Sequence, residues 1–252
     1  MATQRRRVDD ARLLRLLWRG PEEPSPRTGL TVGRIVAAGI AIADEAGLDA
    51  VSMRAVAKRL GVGAMSLYTY VPGKRELVLL MVDEALGEVR REVDPDAGWR
   101  ERLQRMADEH WQLYQRHPWL LDVPITRPAT GPNAMELYEW QLSLVDGLGL
   151  DELEMDAAIE LISDHVANAA RRLRDIRADA EASGMSDDEW WYSVLPTLRQ
   201  VLADRDYPLS SRVGETIGAP HLDTSYLLRF GLERILDGIA ALLAERGSEP
   251  GR

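Results

Sequence analysis

Residues 52–76, SMRAVAKRLGVGAMSLYTYVPGKRE, decide the fold. They read as helix, sharp turn, helix. Ser52 is a good helix cap, because its hydroxyl can accept from the free N–H groups of the first turn. Val56 and Leu60 fall on one helical face. Ala57 and Gly61 are small and four apart, so a second helix can cross closely. Gly61 also suits a helix end, where a left-handed backbone penalises a side chain. A second short helix is expected from about Gly63 to Tyr70, with Val62, Leu67 and Val71 turned inward. Ala64, Met65, Ser66, Thr69 and Tyr70 then face outward. These groups are small, hydroxyl-bearing or aromatic, and such a surface fits a DNA major groove. Pro72 and Gly73 stop the helix, and Lys74 and Arg75 begin the next.

Working outward, the stretch from Leu30 to about Glu88 resembles the DNA-binding head of the TetR family of bacterial repressors. The matching residues are LTVGRIVAAGIAIADEAG at 30–47, LYTYVPGKREL at 67–77, and the pattern Leu67-Tyr68, an aromatic at Tyr70, a turn, and Lys74. The resemblance implies that Tyr68, Tyr70 and Lys74 touch DNA phosphate. It also implies that Arg54, Ala64, Met65 and Ser66 lie near base edges. Ser52 and Thr69 can add hydroxyl hydrogen bonds to phosphate.

Length and composition fit this reading. The chain has 252 residues, 45% of them hydrophobic, enough to bury a core. No apolar run approaches the ~18 residues of a membrane span, and no signal peptide is visible. There is no Cys, so disulfides, thiolate metal sites and Cys nucleophiles are excluded. The expectation is a cytoplasmic protein. The net charge of −10 argues against nucleic acid until its distribution is read. Residues 1–76 hold 13 Lys+Arg against 8 Asp+Glu, a net +5; the rest hold 18 against 33, a net −15. The basic end can meet phosphate while the acidic bulk stays clear of it.

The first 30 residues form a basic extension. Arg5–Arg7 precede DDARLLRLLWRG, in which Leu13, Leu14, Leu17 and Trp18 share a helical face, and Pro21, Pro24 and Pro26 then enforce an extended linker. The extension reads either as a mobile tail or as an arm reaching DNA beside the recognition helix. Helix follows from about Val32 to Ala46, capped by Thr31 and ended by Gly47, with Val32, Ile35, Val36, Gly39, Ile42 and Ala46 inward. From Lys74 a helix is expected to run to about Val93. Beyond Gly98 only helical patterns occur: Trp99–His117, a short apolar piece at Trp119–Val123, Pro132–Gly147, Asp156–Ala182, Ser186–Asp204, and Thr224–Glu245 capped by Asp223 and ended by Gly247. Residues 205–222 read as loop. The fold class is all-α: a helix-turn-helix head at 31–76 and a helical ligand-binding and dimerisation body at 77–252.

The body resembles the tetracycline-repressor type. Thr126-Arg127-Pro128 and Gln141 match its inducer pocket, and FGLERILDG at 230–238 matches its last helix. The resemblance does not extend to a metal-bound tetracycline. A His that holds magnesium in that protein corresponds to Val123 here, Met106 replaces an amide and His110 an aromatic ring. Val and Met cannot ligate Mg²⁺, so no metal or other cofactor is expected. Met106, His110, Tyr114, Arg127, Met135, Tyr138, Gln141 and His165 are the candidate pocket residues. A wall of this kind suits a largely apolar or aromatic effector with one or two hydrogen-bonding groups.

An enzyme is not expected. His110, His117, His165 and His221 lack metal spacing, and no nucleophile elbow, phosphate loop or dinucleotide motif occurs. The expected partners are double-stranded operator DNA, a small effector and a second copy of the chain, with no membrane. For the dimer, Leu227, Gly231, Ile235, Gly238 and Leu242 form one stripe and Ile162, His165 and Ala169 another. Two glycines within a helix cost about 1 kcal/mol each relative to Ala, an expense that close helix contact would offset. Reading the body instead as a docking surface for another protein leaves the DNA-binding head unchanged.

Overall fold

The computed structural model describes residues 11–19, 29–92, 94–124, 130–219 and 223–248. Every regular element among them is helical. Helix α1 spans residues 11–17. The head follows: α2 (Val32–Ala46), α3 (Met53–Leu60), α4 (Ala64–Tyr68) and α5 (Lys74–Leu86). The body comprises α6 (Trp99–Arg116), α7 (Pro132–Ser143), α8 (Glu152–Ser183), α9 (Asp187–Val201), α10 (Pro208–Ile217) and α11 (Thr224–Ser248). Short 3-10 turns cover Leu48–Ala50 and Pro118–Asp122.

The head closes as its pattern predicts. Thr31 Oγ1 accepts from Arg34 N at 3.1 Å and starts α2. Val32, Ile35, Val36 and Ile42 are buried, whereas Ala46, expected inward, is exposed at the last turn. Gly39 lets α5 come close: a Cβ there would lie 2.7 Å from Met81 Sδ.

Several helices differ in extent from expectation. α5 stops at Leu86 instead of running to Val93. Gly87 ends it, the Asn133 side chain occupies the space a Cβ at Gly87 would need, and Val89 turns back into the core. α8 starts four residues earlier than expected, because Asp151 and Glu154 form a reciprocal capping box. The stretch read as loop holds α10, which Pro208 opens at its first position and Gly218, left-handed at φ 66°, closes. α7 ends at Ser143, short of Gly147, and α11 runs through Gly247.

The body core lies between α6, α8 and α11. Leu103, Met106 and Leu113 of α6 meet Ile159, Ile162 and Val166 of α8, with Leu236 of α11 equally enclosed. At the rim, Arg100 of α6 binds Glu233 and Asp237 of α11. By contrast α9 and α10 bury no residue, and they expose Trp190, Tyr192, Val201, Leu209 and Val213. No described helix is long and apolar enough to cross a membrane.

Candidate nucleic-acid interface and effector region

The recognition unit begins at Ser52, whose Oγ accepts from Ala55 N at 3.1 Å. That hydroxyl keeps its own proton to donate outward. α3 ends at Gly61, left-handed at φ 67°, and Val62 N returns to Ala57 O at 3.0 Å. This turn sets α4 across α3, and Val56, Leu67 and Val71 fill the crossing with no exposure. The outward residues are then fixed by elimination. Met65 is 79% exposed, and Ser52, Arg54, Ser66, Tyr68, Thr69 and Lys74 are exposed beside it. Ala64 and Tyr70 are half-buried, with the Tyr70 ring against the core. Of the nine candidate DNA residues, seven are therefore exposed and two half-buried.

Two contacts that sequence reading missed hold this surface rigid. Arg59 of α3 grips Glu45 of α2 through two bonds of 2.7 and 2.6 Å, and that guanidinium holds the Glu45 carboxyl below its ordinary range. Lys74 Nζ donates to Leu48 O at 3.2 Å. An ammonium carries three donors, and this bond uses one of those of Lys74. Neither contact had a sequence signal, since the partners are 14 and 26 residues apart.

The extension does not behave as a free arm over its described part. Leu17 is 6% exposed within the core, and Trp18 Nε1 donates to Thr130 O at 2.9 Å, tying the extension to the loop before α7. The basic run Arg5–Arg7 lies outside the described residues.

In the body, His110 and Gln141 are brought together. Gln141 Nε2 donates to His110 Nε2 at 3.1 Å, which places the single imidazole proton on Nδ1. Burial pushes the His110 pKa down to about 4, so the ring is neutral. Met106, one turn before His110 on α6, is fully buried. Tyr114, one turn after it, lines a cleft of about 190 Å³ with Arg174, Arg177 and Glu181, and burial raises its phenol pKa. Met135 and Tyr138 lie on the exposed side of α7, where Tyr138 OH donates to Asp156 at 2.8 Å. Arg127, with Thr126 and Pro128, lies outside the described residues. A larger cleft of about 260 Å³ runs between the α5–α6 connection, α6 and α7, lined by Glu92, Asp94, Glu101, Arg102, Arg105, Asp108 and Trp140. Its polar lining was not anticipated. Among the described residues no group of three metal-ligating side chains assembles.

The expected dimer stripes divide in two. Ile162 is wholly buried within the protomer, and Ala169 nearly so. His165 Nε2 bonds Leu228 O at 2.9 Å, and a Cβ on Gly231 would strike the His165 ring at 2.2 Å. Gly231 thus allows close packing of α8 on α11 within one chain, and the reason for it is intramolecular. Gly238 is exposed with nothing within 4 Å of a Cβ, and Leu227, Ile235 and Leu242 are half-buried. This part of α11 also exposes Tyr226 and Phe230, at 46% and 50%.

At the seam between head and body, His117 is buried with Nδ1 2.8 Å from Asp44 of α2 and Nε2 3.1 Å from Glu88. Trp119 Nε1 donates to the same Asp44 oxygen at 2.8 Å. Sequence spacing gave no sign of this seam, since Asp44 and His117 lie 73 residues apart.

Comparison with known proteins agrees with the fold. Residues 35–81 match the family of bacterial regulatory proteins named tetR, and residues 93–243 match the tetracyclin repressor-like C-terminal domain. Among curated proteins, the transcriptional repressor DrrR1 of Streptomyces coeruleorubidus is 43% identical over 96% of this chain and 89% of its own length. A transcriptional regulator of Saccharopolyspora erythraea is 32% identical over 60% of this chain and 64% of its own. Apo ActR of Streptomyces coelicolor superposes with a TM-score of 0.68 at 29% identity, covering 86% of this chain and 97% of ActR. ActR has also been solved in complex with actinorhodin; that structure has a TM-score of 0.68 at 28% identity and covers 84% and 96% of the two chains. With a DNA-reading head, an all-helical body and near full-length likeness to a repressor, the chain belongs to the TetR family of DNA-binding transcriptional regulators.

Proposed function

We propose that this protein is a one-component repressor. Two copies bind a palindromic operator, and a small, largely apolar or aromatic molecule releases it. The observation that carries the effector half is the His110–Gln141 pair. Two buried polar side chains bond each other beside Met106, so a ligand that offers an acceptor to Gln141 Nε2 and a donor to His110 Nε2 replaces their bond without orphaning either group. ActR, solved with actinorhodin and with (S)-DNPA, supports an aromatic ligand by likeness. The nine exposed or half-exposed residues around α4 supply the DNA surface, with Arg54, Ala64, Met65 and Ser66 at base edges and Ser52, Tyr68, Thr69, Tyr70 and Lys74 on phosphate. The two-fold pairing uses the outer part of α11 and the adjoining face of α8.

A second reading rests on the exposed aromatic and aliphatic side chains of α9 and α10, which would suit a protein partner of the body. A thermal-shift screen of aromatic hydroxy compounds, with actinorhodin included and without added metal, separates the two. The effector reading expects a hit that raises Tm, quenches Trp fluorescence and frees the operator, and that loses its effect in Gln141→Ala. Hits that act only through tetracycline with Mg²⁺, or a screen with none, would contradict it.

A further inference from the structure

α7 begins without a cap of its own. Gly131 stands at the capping position and offers no side chain, and Pro132 follows. The first free N–H groups of the helix are met from another element. Asp83 of α5, 6% exposed, accepts from Ala134 N at 3.0 Å, from the Asn133 backbone, and from Asn133 Nδ2 at 3.3 Å. Gly131 is required here, since a Cβ would lie 2.1 Å from Asp83 Oδ1. Around this joint, Arg91 donates to Asn133 O at 3.2 Å, to Leu86 O at 3.4 Å and to Glu136 at 2.7 Å. The extension closes it from the third side: Leu17 is buried, Trp18 holds Thr130 O, and burial raises the Asp83 carboxyl while its hydrogen bonds and the charge of Arg19 work against that rise.

We propose that Asp83 is the positioning residue that couples α7 to the DNA-binding head. A helix start needs an acceptor, and its partial positive end favours an anion. Supplying both from α5 means that α7 cannot shift relative to α5 without leaving a buried carboxylate and its donors unpaired. α5 in turn carries the head, because Leu77 and Met81 lock onto Gly39 of α2. At its other end α7 carries Gln141, the partner of His110. A displacement of Gln141 is thus transmitted along α7 and reaches α5 at the joint that Asp83 caps. The effector half of this coupling rests on the function proposed above; the half between α7 and DNA does not. Coupling is reciprocal, so it can be read from the DNA side with no effector in hand.

The test is hydrogen exchange of the full-length protein, with and without the duplex it selects from a random pool. In the wild type, DNA is expected to slow exchange in the first two turns of α7 by about tenfold. Asp83→Ala lowers Tm and leaves these amides fast in both states. The double variant D83A/G131S separates capping from coupling: the deleted carboxylate makes room for a serine, which caps α7 locally. Tm and basal protection recover in it, while the response of α7 to DNA stays below about twofold. Asp83→Asn keeps the volume if the alanine variant does not fold, and it is expected to reduce the response below about threefold. A tenfold response retained in D83A/G131S or in Asp83→Asn overturns the assignment. So does a wild type in which DNA protects α5 and leaves α7 unchanged.

Discussion

The head and the body bury polar groups in opposite ways. In the head, polar side chains stay at the surface and are steadied from within the head: Ser52 by Ala55, Arg59 by Glu45 and Lys74 by Leu48. In the body and at its seam with the head, polar groups lie inside and are satisfied across long separations: His110 by Gln141, Asp83 by Ala134 and His117 by Asp44. The head presents chemistry to a partner whose shape is constant, the DNA groove. The body encloses its polar groups in pairs within the core and at the seam. Surface groups on a rigid frame make contacts of modest and separable worth, whereas buried pairs are costly to break.

The largest effect expected is in the head's frame. Leu67 wedges α4 onto α3 with no exposure, so Leu67→Ala should cost about 2–5 kcal/mol. Calorimetry should show a lowered transition, and electrophoretic shifts should show operator binding lost before the body core melts. A variant that kept full affinity would mean that the orientation of α4 is not set by this crossing.

Next comes the buried imidazole. The ordinary His value is 6.5, and burial lowers His110 to about 4. Between those values the unfolded chain binds a proton that the folded chain refuses, so this residue makes stability fall as pH falls, by up to about 3 kcal/mol. His110→Gln should flatten that part of the stability–pH curve relative to the wild type, measured by denaturant unfolding at pH 4 to 7. Equal slopes for the two proteins would mean that the ring is not held neutral. Burial of Asp83 raises its carboxyl and acts in the opposite sense, which is why the comparison is made between variants.

How much could be read from the sequence follows the same division. The helix-turn-helix was legible because its determinants lie within 25 residues: a cap at Ser52, small residues at Ala57 and Gly61, an apolar wedge at Leu67, a stop at Pro72. Helix identity in the body was legible from period alone, as in Trp99–Arg116, which buries Leu103, Met106, His110 and Leu113 at helical spacing. What was not legible depended on chain-distant space. Gly231 looks like a contact for a second copy until the His165 ring is found against it. Asp83 looks like one polar residue on a mixed helix, since nothing near it in sequence announces that it caps a helix 51 residues away. α10 was hidden by Pro and Gly that serve as its first position and its stop.

The head's own division of labour gives smaller effects and the sharpest test. Arg54 is exposed at the start of α3 and Lys74 is fixed on Leu48 O at the start of α5. The decisive measurement is equilibrium binding of wild type, Arg54→Ala and Lys74→Ala to the selected operator and to its single-base variants, across a range of salt. Arg54→Ala should lose discrimination at one base pair, worth roughly 1–3 kcal/mol, and leave the other positions as they were. Lys74→Ala should weaken every sequence alike and lower the salt slope by about one. Unchanged affinity and slope for Lys74→Ala, together with undiminished base preference for Arg54→Ala, would show that the α3–α4 surface is not the one that meets DNA.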